Sequence, residues 1–437
     1  MRIAFIGCGH VFDYYMSTMW AHPELEICGV FDINESRTNI VGKHYDLHVY
    51  QNIETLLNDS RVQIVINLTN IGAHYEITKQ ALEADKHVYS EKPLTTEVQY
   101  TKELFSIAKS RRLVFSGAPC NIFSDSVNTM WKAIIDGAIG KPALVYAELD
   151  DSPLHVYDNE NSQGPTGAPW PYVEELEQGC TFEHIGYHLV WICAIFGPVT
   201  SVTAFSKLLI ENKTDTPLSP SDTPDYSVGC LNFANGVTVR ITCSIVAPRD
   251  HRMRIIGNEG EILADSYSHY QAPVFLERYS KVSLNARKAR TLRNQPWLGS
   301  LFGVGGNKVK LIRNWKSKAI ESAQGNHHSI KQKFISWLRR RETHSQDKML
   351  GIAEMAKSIK QNKPQFLSPD FLMHINEITL IVQRAGSKGT TRVPTTTFKP
   401  LTPPQNIIKY DYNYLNEYRL SVLERILEGV VEFFHKK

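Results

Sequence analysis

Ile3-Ala4-Phe5-Ile6 runs directly into Gly7-Cys8-Gly9. Four consecutive apolar residues mark a strand buried on both faces of a parallel sheet, and a Gly-x-Gly pair behind such a strand permits a tight bend into a helix, predicted over 10–21. The same alternation recurs along the first third of the chain. Leu25-Glu26-Ile27-Cys28-Gly29-Val30-Phe31 ends at Asp32, and Val62-Gln63-Ile64-Val65-Ile66-Asn67-Leu68 ends at Thr69-Asn70. His87-Val88-Tyr89-Ser90 follows a helical stretch around 74–84, and Leu113-Val114-Phe115-Ser116 follows another around 97–111. Strand then helix in five rounds predicts an α/β fold whose first domain, residues 1–120, is a doubly wound parallel Rossmann sheet with ligands at the carboxyl ends of its strands.

The glycine turn lets backbone N–H groups and the positive end of the following helix approach a pyrophosphate. Asp32 closes the second strand 23 residues after Gly9, where a dinucleotide fold places the carboxylate that accepts hydrogen bonds from the adenosine ribose. That favours NAD, although Arg37 is near enough in sequence to serve the 2′-phosphate of NADP. The candidate cofactor residues are Gly7, Gly9, His10, Val11, Asp32, Arg37, Thr69, Asn70, His74, Glu91 and Lys92, all at strand ends or helix starts on this edge. Phe12 occupies the third small position of GxGxxG and puts the close approach of helix to sheet in question.

Glu91-Lys92-Pro93 follows the fourth strand, so a carboxylate and an ammonium stand at the ligand end of the sheet. Here the sequence resembles the Gfo/Idh/MocA oxidoreductase family. Thr69, His74, Ala81-Leu82-Glu83-Ala84 and His87-Val88 ahead of Glu91-Lys92-Pro93 are similar to that family's third-strand-to-EKP block. Gly179-Cys180-Thr181-Phe182-Glu183-His184-Ile185-Gly186-Tyr187-His188 matches its glycine-led D-x-x-x-H helix, with His184 where the family usually has Asp. The resemblance spans roughly residues 1–275 and 349–395. It implies an NAD(P)-dependent dehydrogenase or reductase acting on CH–OH groups of a sugar, cyclitol or nucleotide sugar. In such an enzyme Lys92 would hydrogen-bond the reacting hydroxyl and His188 would take its proton. Four residues apart on one helix face, His184 and His188 can both point into one pocket, so either can be the base, or His184 can orient the substrate with Glu183 beside it. The resemblance leaves two alternatives open: a dinucleotide-binding regulator without catalysis, and a redox-neutral glycosidase-like enzyme with retained NAD.

A His-x-x-x-His pair also has the spacing of two zinc ligands, but HIGYH lacks the internal glutamate of HExxH, and no metal is expected. From residue 142 the hydrophobic period becomes two. Val237, Val239, Ile241, Cys243 and Ile245 alternate with polar residues, and Asn235-Gly236 before them signals a type I′ hairpin. With 199–209, 226–233, 253–256 and 261–264 this predicts an α+β second domain, residues 121–277 and 349–399, carrying an open, largely antiparallel sheet. By resemblance it pairs subunits into a dimer or tetramer. The turn-rich connection 150–177 is either an irregular link or a cover that stacks Trp170 or Tyr172 on a sugar face, and the candidate substrate residues are Lys92, Trp170, Tyr172, His184 and Tyr187.

Residues 278–348 hold 17 Lys and Arg against three acids, while the remainder holds 31 against 42. The segment therefore reads as a separate basic insertion, with apolar residues at helical spacing around Trp315 and Phe334 suited to a membrane surface or simply to solvent. It tilts the substrate toward a nucleotide sugar of surface-polysaccharide synthesis. Nucleic acid is a poor partner because the rest of the body is acidic. The tail 400–437 ends in an amphipathic stretch fitted for packing or oligomer contact. Seven scattered cysteines without a CxxC pair read as reduced thiols, and no signal peptide or membrane-spanning run is seen, which predicts a cytoplasmic protein, peripheral to the inner membrane at most.

Overall fold

A computed structural model describes residues 1–157, 162–280, 304–313, 346–417 and 422–435. The first domain alternates as its periodicity predicts: β1 (Arg2–Ile6), α1 (His10–Met19), β2 (Glu26–Phe31), α2 (Glu35–Tyr45), α3 (Ile53–Asn58), β3 (Ile64–Asn67), α4 (His74–Glu83), β4 (His87–Ser90), α5 (Val98–Ser110) and β5 (Phe115–Gly117). The five strands pair in parallel in the order β2-β1-β3-β4-β5. The order in which strands are added reverses between β1 and β3, so a ligand crevice opens above their carboxyl ends, next to the glycine turn.

At that turn Gly7 has φ +99°, and a Cβ there would stand 2.5 Å from the Leu68 carbonyl oxygen, so only glycine lets β1 pass β3 this closely. Phe12 answers the question raised by its size. It is fully buried and packs edge-on against Phe5 of β1, with ring centroids 5.1 Å apart, and against Tyr45 of α2 at 5.8 Å. An aromatic layer thus fills the space between helix and sheet that a small residue would have closed.

The second domain runs α6 (Asp125–Ile135), β6 (Pro142–Asp150), α7 (Tyr172–Gln178), α8 (Cys180–His184), α9 (Gly186–Phe196), β7 (Val199–Lys207), β8 (Tyr226–Phe233), β9 (Thr238–Ser244), β10 (Met253–Gly257), β11 (Gly260–Ala264), β12 (Val274–Arg278) and β13 (Asn307–Lys308). Then follow α10 (Met349–Lys360), α11 (Pro369–Gln383) and β14 (Thr390–Arg392). The nine strands lie in the order β13-β12-β11-β10-β6-β9-β8-β7-β14, antiparallel throughout except for the parallel pair β6–β9. Inward residues such as Val202, Leu231, Val239 and Ile241 are buried, whereas Thr203, Cys230, Asn232 and Arg240 on the other face are exposed. The hairpin at Asn235-Gly236 forms with a different turn from the one expected. Gly236 N–H donates to the Phe233 carbonyl, and within this turn only Gly236 has a positive φ, +87°, which is a type I turn closed by a glycine bulge rather than type I′.

Two helices return to the first domain. α10 packs Ile352, Ala353 and Met355 into the cluster that holds Phe5, Phe12 and Tyr15. Serine-capped α11 buries Phe371, Ile378 and Val382 between α5 and β7. The span read as a basic insertion is in part integral to the body. β13 extends the second sheet, Val309, Leu311 and Ile312 are buried in its core, and the Ile312 amide donates to Thr129 Oγ1. The amphipathic stretches around Trp315 and Phe334 lie outside the described residues. Of the tail, Tyr414 is fully buried and its hydroxyl donates to the Lys310 carbonyl, and no helix of the described residues is long and apolar enough to cross a membrane. All seven cysteines are free thiols, five of them buried.

Because Phe12 fills a closed layer, Phe12→Ala should lower stability by about 3–5 kcal/mol, read as a drop in the urea midpoint. A change under about 1 kcal/mol would show that α1 settles onto the sheet without the ring.

Candidate active site

A cleft opens where the carboxyl ends of β3 and β4 face the end of β6 and helices α7–α9. Its walls include His10, Val11 and Tyr14 of α1, Thr69 to Ile71, His74, Glu91 and Lys92 from the first domain. Asp151, Trp170, Glu174, Glu175, Glu183, His184, Tyr187, His251, Tyr267 and Lys348 complete it.

The predicted cofactor residues fit a dinucleotide. The Gly9 position has nothing within 4 Å of where a Cβ would stand, so the turn is open above α1. Asp32 is fixed at the end of β2 by the amides of Cys8 and Asn34, at 2.6 and 2.8 Å. Thr69 and Asn70 stand at the end of β3, where Thr69 Oγ1 donates to Asn67 and the Asn70 side chain accepts from the Ala73 amide. The His74 ring bridges the Pro93 and Thr69 carbonyls, at 2.7 and 3.0 Å, and burial lowers its pKa. It braces the Glu91-Lys92-Pro93 loop. Arg37 stands elsewhere than expected: its guanidinium lies on the Cys8 carbonyl and on Thr166.

At the chemical end of the cleft, Lys92 Nζ meets Glu183 Oε2 at 2.5 Å. Burial opposes its charge, but Glu183, Tyr187 and Glu91 together outweigh burial and hold the ammonium well above the ordinary lysine value. Beside it, His184 Nε2 pairs with Glu175 Oε1, and Asp151 Oδ2 lies 3.7 Å away. Burial pulls the imidazole down, yet Glu175 and then Asp151 raise it above its usual value, while burial raises Glu175. Imidazole and carboxyl thus share one proton as a coupled pair. Asp151 is drawn the other way: burial raises it, but His251, His184 and Arg249 outweigh that and hold it ionised. Ligating atoms of Asp151, Glu175 and His184 fall within 4.8 Å of one another, a spacing a cation can also bridge. The hydrogen bond between Glu175 and His184 joins two of the three directly.

His188, the base that the family resemblance implied and one of the two histidines left open for that role, is not in the cleft. It is fully buried, its Nε2 donates to the Glu148 carbonyl at 2.8 Å, and its Nδ1 accepts from Trp191 Nε1 at 3.0 Å. Both nitrogens are occupied in one neutral tautomer, and burial pushes the pKa down to about 3. The backbone stays helical through Ile185, so what separates the two histidines is their partners: Glu175 holds His184 at the cleft, and the Glu148 carbonyl takes His188 into the core. Tyr172 is also displaced: its hydroxyl faces Thr216, while Trp170 holds the wall position. Tyr187 is where it was expected.

Sequence reasoning missed Lys348, Glu175, Asp151 and His251. Lys348 Nζ lies 3.2 Å from Glu91 and 3.4 Å from the Tyr187 hydroxyl, within the end of the span read as an insertion. Its one sequence signal is that it directly precedes the returning helix α10.

These positions separate the two histidines experimentally. His184→Gln, which leaves Glu175 a hydrogen-bond donor, should lower kcat at least about 100-fold with little effect on stability. His188→Ala should leave the pH profile in place and cost about 2–3 kcal/mol, because it orphans the Glu148 carbonyl and the Trp191 N–H and leaves a cavity. The reverse pattern in pH–rate and urea measurements would restore His188 as the base.

Residues 1–118 match the model of an oxidoreductase family with an NAD-binding Rossmann fold, and residues 127–263 match the GFO/IDH/MocA C-terminal domain. An uncharacterized oxidoreductase of Synechocystis sp. is 26% identical over 278 residues, covering 61% of this chain and 72% of that protein. The scyllo-inositol 2-dehydrogenase (NADP+) of Bacillus subtilis is 24% identical over 246 residues, 55% of this chain and 63% of that one. Among solved structures, UDP-N-acetylglucosamine 3-dehydrogenase from Acidithiobacillus ferrooxidans superposes with a TM-score of 0.59 at 17% identity, over 89% of this chain and 98% of that one. The two family domains together span more than half of the chain and meet at the cleft just described, and the chain belongs to the Gfo/Idh/MocA family of NAD(P)-dependent oxidoreductases.

Proposed function

We propose that the protein interconverts a secondary alcohol and its ketone on a polyhydroxylated ring, a sugar, cyclitol or nucleotide-linked sugar, using NAD. The observation that carries this reading is the placement of the Lys92–Glu183 pair beside the His184–Glu175 pair in one cleft, at the edge of the sheet where the dinucleotide residues stand. Bound at that edge, the nicotinamide supplies the acceptor or donor of hydride. Lys92 donates a hydrogen bond to the reacting oxygen and stabilises the alkoxide as it develops. His184 takes the hydroxyl proton in oxidation and returns it in reduction, and Glu175 shares the proton so that the imidazole stays oriented and basic. Trp170 and Tyr267 give the ring an apolar wall, while the Glu174 carboxylate in the same cleft accepts from ring hydroxyls. The named activities of the relatives, on an inositol and on a nucleotide-linked sugar, support the substrate class.

The pH dependence has a definite sign. Alcohol oxidation needs His184 unprotonated, so kcat/KM should rise with pH through an apparent pKa above the usual histidine value, and ketone reduction should fall through the same value. Glu175→Gln removes the partner that raises it, so both limbs should move to lower pH. Lys92→Ala should lower kcat by about 100- to 1000-fold at every pH. Limbs that stay in place in Glu175→Gln would remove the His184–Glu175 pair from the chemistry.

A further inference from the structure

The connection between β6 and α7 reaches back from the second domain and fastens onto the dinucleotide edge of the first. Thr166, buried, is the fastening point. Its amide and its hydroxyl both donate to Asp13 Oδ2 of α1, at 3.1 and 2.9 Å. The same hydroxyl oxygen accepts from Arg37 Nη2 at 2.8 Å, and the Thr166 carbonyl accepts from Arg37 Nη1 at 2.9 Å. Arg37 spends its remaining inner edge on the Cys8 carbonyl, through Nε at 3.3 Å and Nη2 at 2.9 Å. Asp13 is itself buried and takes the Tyr45 hydroxyl on its other oxygen. His10 Nδ1 lies 3.3 Å from the Ala168 carbonyl, and Gly164 packs on Asp13 with no room for a Cβ.

Arg37 lies in the first turn of α2, just beyond Asp32, where an arginine in a dinucleotide fold accommodates a 2′-phosphate. To reach such a phosphate it would have to leave the Thr166 contacts, opening the loop and stripping a buried hydroxyl of its donor. The Asp32 carboxylate, fixed by two amides, meanwhile repels a phosphate and accepts from a free ribose hydroxyl. We infer that Thr166, a residue of the substrate domain 129 positions away from Arg37, sets the cofactor preference toward NAD by holding Arg37 out of the 2′-phosphate position. This rests on the cofactor reading above and deepens it. The same contacts make one residue a link between the loop that carries Trp170 and the seat of the adenosine.

Dissociation constants of the full chain for NAD and for NADP, by calorimetry or tryptophan fluorescence, test this without turnover. The wild-type protein should bind NAD at least tenfold more tightly than NADP. Thr166→Val keeps the shape and removes the hydroxyl, and it should narrow that ratio at least threefold by tightening NADP. Arg37→Ala should leave the ratio within twofold of wild type, and adding it to Thr166→Val should cancel the gain. Two results overturn the inference: an Arg37→Ala protein that loses NADP binding selectively, by tenfold or more, or a Thr166→Val ratio equal to wild type. A wild-type protein that binds neither dinucleotide contradicts the cofactor reading itself and takes the inference with it.

Discussion

The Glu91 carboxylate is the point on which the rest of the cleft depends. It is buried at the end of β4 and satisfied from three parts of the chain. The Tyr15 hydroxyl of α1 donates at 2.9 Å, the Lys92 amide at 3.0 Å, and Lys348 Nζ at 3.2 Å. Burial alone would raise its pKa, but Lys348 and Lys92 outweigh burial and bring it down to about 2. A folded value below the unfolded one means that this stabilisation is fully present above about pH 4.3 and is lost only as the pH falls toward 2. A buried charge left without its partner costs about 3–5 kcal/mol, so glycine-turn helix, strand end and the approach to α10 are held in one arrangement. The carboxylate is also why Lys92 leaves its strand in a fixed direction, toward Glu183.

Around that anchor the two domains divide the work by secondary structure. The parallel sheet delivers backbone groups and Lys92 from strand ends, where side chains emerge at fixed heights. The second domain supplies acids and imidazoles from the end of β6 and from the short helices α7 and α8, which place Asp151, Glu175, Glu183 and His184 within one wall. Each ammonium there has its own carboxylate, Lys92 with Glu183 and Lys348 with Glu91, which leaves Glu174 and the His184–Glu175–Asp151 group without a lysine. The proposed mechanism moves its proton through this last group.

The parts legible in the sequence were those written in a local period or a fixed spacing. Strand β4 over 87–90 and strand β8 over 226–233 fall where the apolar pattern puts them, and Gly7, Asp32 and Lys92 stand at the strand ends that the alternation implies. What was not legible came from long-range packing. Four-residue spacing put His184 and His188 on one face, but the Glu148 carbonyl from a strand 40 residues away captures His188 and draws it into the core. Glu175 and Asp151 belong to no motif, and only the meeting of β6 with α7 gives them a role. Lys348 was hidden by composition: a segment counted as basic and separate ends in a buried lysine that the core needs. Arg37 was read by its sequence neighbourhood, and a loop from the other domain claims it.

The account stands most directly on whether hydride leaves a hydroxylated ring in this cleft. Absorbance at 340 nm, with enzyme in excess over a panel of inositols, free sugars and nucleotide sugars in the presence of NAD, reads that step in a single turnover. The account predicts a rise with at least one member of the panel, larger at higher pH and absent in Lys92→Ala. A flat trace across the panel from a protein that demonstrably binds NAD would contradict it.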